Sequence, residues 1–155
     1  SLLLTLAFAP SVKSDDVTVT TTVSSFLTAT FQYSTVAYGS LSAGTNNQSA
    51  PNQANGIYNV TISTNKPFNV SASGTDFDDG GGHTFGIGYL RMDSDTVKTN
   101  LAVGNAKVLT GSPQLIDGSI SESTTTDYHG FWLTIPSGQY SASYSSTVTI
   151  TYATA

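Results

Sequence analysis

The chain has 155 residues and a net charge of −5, with five Lys and Arg set against ten Asp and Glu. That length makes one ordinary domain. Its cations, Lys13, Lys66, Arg91, Lys98 and Lys107, are too scattered to neutralise a phosphate backbone, so nucleic acid is excluded as the expected partner. Cysteine is absent, which excludes disulfides, thiolate metal sites and cysteine nucleophiles, while 22 serines and 24 threonines predict a hydroxylated surface with few ions.

The first ten residues, SLLLTLAFAP, are greasier than anything that follows. Ala7-Phe8-Ala9 resembles a small-x-small cleavage site, but the run is short for a signal peptide's apolar core and no charged stretch precedes it. Read as a strand, it puts Leu2, Leu4, Leu6 and Phe8 on one face and Leu3, Thr5 and Ala7 on the other. Burying the four large side chains is worth roughly 6–12 kcal/mol before ordering entropy is subtracted. The polar stretch PSVKSDD, residues 10–16, follows, with Pro10, Asp15 and Asp16 favouring solvent and a turn. The layout is an apolar arm (1–9), a hinge (10–16) and a domain (17–155). The arm either completes its own domain or adds as a donor strand to a neighbouring copy. Head-to-tail addition that does not close builds a filament.

Beyond the hinge, helical periodicity is nearly absent and period-two alternation between turn residues recurs, which predicts an all-β domain. VTVTTTVSS (17–25) places Val17, Val19, Thr21 and Val23 on one face, and LTATFQYSTVAYG (27–39) is a longer second run. IYNVTIST (57–64) turns Tyr58, Val60 and Ile62 inward, and PFNVSAS (67–73) does the same with Phe68 and Val70. Further strands are expected over 84–92, 101–109, 114–121, 128–135 and 146–153, the last with Val148, Ile150 and Tyr152 inward. Loops are expected over 40–56 and 74–83. Many short strands without an internal repeat predict a two-sheet sandwich, immunoglobulin-like or jelly-roll.

Three N-x-S/T sequons, at Asn47, Asn59 and Asn69, fall in a loop or on polar strand faces and are candidate N-glycosylation sites. With the hydroxyl-rich, lysine-poor composition they predict an extracellular protein whose signal peptide is already removed. No stretch reaches the about 18–20 apolar residues of a membrane span.

Catalytic signals are poor, and the chain reads as a non-enzyme. Asp127, His129 and a serine could be written as a triad, but nothing resembles a nucleophile elbow, and Asp127 is expected to cap a turn. Glu122 is the sole glutamate. Asp76, Asp78 and Asp79 beside three glycines could wrap Ca²⁺, which takes about six to eight oxygens, but they lack EF-hand spacing and read better as a solvated hairpin loop; no cofactor is expected. Asp93 and Asp95 alternate on one face of a strand and could meet a lysine or a cation from a neighbour, though a wet surface explains them too. Phe131 and Trp132 point oppositely, so one of the two is expected in the core. The other, with the tyrosines, could form a platform for sugars, which leaves a monomeric adhesin or carbohydrate-binding module as the alternative reading.

Three stretches also carry a resemblance. YGSLSAG (38–44) resembles an aromatic-Gly-x-hydrophobic-x-Pro-Gly turn, with Ala43 where proline is expected. ISTNKPFNV (62–70) is similar to a T-N-x-x-aromatic strand pair, and IPSGQYSASYSSTVTITY to a final hairpin. Together, from about residue 17 on, they resemble the secreted β-sandwich subunits of archaeal threads and bundling pili, and more distantly TasA/camelysin fibre proteins and type 1-like pilins. The resemblance implies a secreted, often glycosylated homopolymer serving adhesion or biofilm formation, its subunits joined by N-terminal donor strands; here that role would fall to Leu2, Leu4, Leu6 and Phe8.

Overall fold

A computed structural model describes residues 13–155. The arm residues Leu2, Leu4, Leu6 and Phe8, and Pro10 of the hinge, lie outside them. Among the described residues are eleven strands: β1 (Leu27–Phe31), β2 (Gln48–Ser49), β3 (Asn59–Thr64), β4 (Phe68–Gly74), β5 (Phe77–Asp78), β6 (Thr84–Phe85), β7 (Leu90–Asp95), β8 (Lys107–Val108), β9 (Gln114–Ile120), β10 (Thr126–Leu133) and β11 (Val148–Thr154). A larger antiparallel sheet runs β1-β3-β10-β7-β8, with β2 also paired to β10. A smaller one runs β11-β4-β9, and β5 and β6 form a separate hairpin.

The two larger sheets share one core, built by the alternation read above. Val60 and Ile62 of β3, Phe68, Val70 and Ala72 of β4, and Met92 of β7 are buried, while the residues between them on β3 and β4 face outward or are only half-buried. β10 is buried on both faces. Asp127, His129, Phe131 and Leu133 face the smaller sheet. On the outer face Trp132 lies across Gly130, where an added Cβ would come within 2.6 Å of the indole ring. A 3₁₀ turn, Gln53–Asn55, covers that face, and Gln53 Oε1 accepts the Phe131 N–H at 2.6 Å. Both Phe131 and Trp132 are therefore buried, whereas only one was expected to be.

Three further expectations fail. Residues 17–25 belong to no strand; paired structure begins at Leu27, and Val17, Val19 and Val23 are 82%, 88% and 78% exposed. Alternation alone made that segment a strand, but a strand forms only when it is paired, and 17–25 pairs with none of the described residues. The expected run 27–39 stops at Phe31, after which residues 33–43 leave the sheet in irregular conformation. Asp93 is not wet surface: it is buried and accepts the N–H groups of Ser94 and Ala102, both at 3.0 Å. Burial raises its pKa despite those two bonds.

Candidate functional site

Half-buried apolar side chains gather on one side of the sandwich. Val36 and Leu41 from the stretch after β1, Ile135 and Tyr144 from the stretch before β11, and Val148 and Ile150 of β11 pack against the core yet keep surface open. They line a groove of about 1010 Å³, floored by Phe85, Leu90, Phe131 and Leu133. β4 contributes nothing to its walls, so the groove lies along the edge of β11 away from β4. That edge has no strand partner among the described residues. Nor does β11, VTITYAT, carry the charge or proline with which folded proteins protect free edges. Among the described residues, a partly open core therefore lies beside an unprotected edge.

A buried polar cluster anchors the other half of β11. Asp127 and His129, on the inward face of β10, meet Ser94 of β7, Tyr152 of β11 and Tyr33. Ser94 Oγ donates to the two Asp127 oxygens at 2.9 and 2.8 Å, and Tyr152 Oη donates to Oδ2 at 2.5 Å. The Tyr152 oxygen is then free to accept from His129 Nε2 at 2.8 Å, which leaves Nδ1 to accept from Tyr33 Oη at 2.5 Å. His129 Nε2 also lies 3.3 Å from Asp127 Oδ2. Asp127 therefore caps no turn; it accepts across the sandwich. Ser94 bonds the carboxylate and not the imidazole, so the nucleophile-to-base contact of a triad is absent from this arrangement. A signal did exist: in TDYHGFWL the pleat puts two polar residues in register with Phe131 and Leu133, so they needed partners inside.

Burial, and next the negative Asp127 carboxylate, raise the phenols of Tyr33 and Tyr152 well above the ordinary 10.0, and burial raises Tyr38 likewise. Folded tyrosines keep protons that unfolded ones lose above pH 10. Their stabilisation is thus fully present below that value and declines as pH rises further. The urea midpoint should be level from pH 8 to 10 and fall beyond it, less steeply in a Tyr33→Phe, Tyr152→Phe double variant; equal slopes in the two proteins would refute this.

The remaining candidates do not converge. Asn47, Asn59 and Asn69 are half-buried outside the core; Asn59 Nδ2 donates to the Gly56 carbonyl at 2.8 Å, while Asn69 Oδ1 accepts the Ser119 N–H at 2.8 Å. Asp76, Asp78 and Asp79 point at separate backbone groups, the N–H of Ile87, of Gly80, and of Gly81 and His83. Among the described residues no three acidic or histidine side chains group as metal ligands. His83 bonds Asp79 at 2.7 Å, which holds that carboxyl below its ordinary range, and stacks on Tyr140 at the groove rim. Asp15 and Asp16 are exposed, and Asp15 pairs loosely with Lys13 at 3.6 Å, too wet a contact to fix the hinge. Trp132, 7% exposed, offers no face for a sugar.

Among the described residues no helix is long and apolar enough to cross a membrane. A scan against protein-family models finds no match to this chain, and a search of curated proteins finds none either.

Proposed function

We propose that this protein is the repeating subunit of an extracellular filament, an immunoglobulin-like or jelly-roll sandwich completed by a strand from the N-terminal region of the next copy. One observation carries the reading: among the described residues, the groove beside the free edge of β11 leaves the core open next to Val148 and Ile150. Strand addition there supplies main-chain hydrogen bonds along the edge and apolar side chains for the hole. The segment before β1 joins the sandwich at the end opposite the groove. Asn65, in the β3–β4 turn, holds Phe26 N–H and the Ser24 carbonyl, both at 2.9 Å, while the groove's irregular walls follow the far end of β1 and precede β11. A donor at one end and an acceptor at the other give head-to-tail growth, a heterologous contact that need not close. The hydroxylated exterior, with Asn47, Asn59 and Asn69 as candidate glycan carriers, suits a hydrated fibre for adhesion or biofilm formation.

The test is size. Purified chain should form long particles, visible by electron microscopy and by sedimentation, that persist on dilution. A species near 16.1 kDa at every concentration would overturn the proposal in favour of a monomeric adhesin or carbohydrate-binding module.

A further inference from the structure

We infer that the strand entering the neighbour's groove is residues 17–23, VTVTTTV, and not the greasier stretch 2–8; this rests on the filament reading above. Three observations lead to it. First, 17–23 is a strand without a sheet: its alternation is strict except at Thr21, its residues are β-branched throughout, and its three valines stand 78–88% exposed. A β-prone segment left so bare gains most by pairing, and among the described residues it is paired with none.

Second, the two faces of this segment match the two faces of the site. β11 turns Val148 and Ile150 into the groove and Thr149 and Thr151 outward, and β4 beside it presents Ser71 and Ser73 opposite those threonines. A strand added beyond β11 with Val17, Val19 and Val23 inward extends the apolar floor. Its Thr18, Thr20 and Thr22 extend the outer row of hydroxyls, as cross-strand Thr pairs that favour the sheet. The stretch 2–8, docked the same way, would turn Leu3 and Ala7 out into that hydroxyl row.

Third, the tether is short. Residue 24 is already clamped by Asn65, and 17–23, which precede it, are exposed throughout and so accessible to a second copy. Whichever direction the donor runs, the pleat keeps valines and threonines on opposite faces, so the match does not depend on strand polarity.

The experiment compares two variants in the full chain. Val19→Asp with Val23→Asp should leave folded monomers, with the far-ultraviolet spectrum and melting point of the parent, because both positions are solvent-exposed in the single copy. Leu4→Asp with Leu6→Asp should still polymerise. The reverse pattern, polymer with V19D/V23D and monomer with L4D/L6D, overturns the assignment while keeping the filament reading; a parent chain that never polymerises overturns both. Because the chain lacks cysteine, a cross-link can be read without background. Val19→Cys combined with Val148→Cys or with Ile150→Cys should give, on oxidation, a ladder of covalent multimers on a denaturing gel. A product linked only within one chain, or no linkage with either partner position, overturns the assignment.

Discussion

Aspartate at both Val148 and Ile150 is expected to abolish filament formation while leaving the subunit folded. Both side chains are half-buried, on the groove side of an edge strand whose other edge stays paired with β4 over Val148–Thr154. In the single copy the new carboxylates can reach water through the open groove, so the fold survives their charge. In the polymer a docked strand would seal them in, and dehydrating an unpaired carboxylate costs several kcal/mol per ion, beyond the apolar contact already lost. About 5 kcal/mol or more corresponds to a loss of over a thousandfold in subunit affinity. Sedimentation of the variant beside the parent at equal concentration, with melting curves of both, checks the result: unchanged polymer would mean that the groove is not the acceptor, and a collapsed melting point would mean that its walls belong to the core proper.

Asp127→Ala should instead cost fold stability, by about 3–5 kcal/mol, a large part of the about 5–15 kcal/mol that holds a typical domain together. The carboxylate accepts from Ser94 and Tyr152 and lies within reach of His129, and its side chain is wholly buried. Removing it strands the Ser94 hydroxyl of one sheet and the Tyr152 hydroxyl of the other where water cannot replace it, and each orphaned donor adds about 1–3 kcal/mol. Asp127→Asn, which keeps one acceptor oxygen, should lose less. Urea unfolding at pH 7 measures both; a change below about 1 kcal/mol for the alanine variant would show that the cluster does not clamp the sheets. The position matters beyond stability, because Tyr152 fixes the same strand whose other half lines the groove. Loosening it should also blunt the acceptor edge.

Much of this molecule is written in short-range pattern. The inward faces of IYNVTIST, PFNVSAS and STVTITYA follow from alternation, because a pleated strand sends successive side chains to opposite sides and only one side can be dry. The same alternation assigned 17–25 to the domain, and there it misled. Period two reports what a segment would bury on one face if it were paired; it is silent on whether a partner edge exists within the chain. β10 shows the converse. Its Trp132 is buried because a 3₁₀ turn from far upstream closes over Gly130, a contact no local pattern contains.

The candidate site divides along the same line. Composition and alternation were enough to foresee an all-β domain, since they depend on hydropathy at neighbouring positions. That a groove would open beside β11, and that Asp127, His129, Tyr33, Ser94 and Tyr152 would meet, depended on which strands lie across from one another. Those pairings join residues as distant as Tyr33 and His129. Sheet order brings them together, and sheet order is settled by the whole chain's search for buried contacts, which also left β11 at an edge with its groove open.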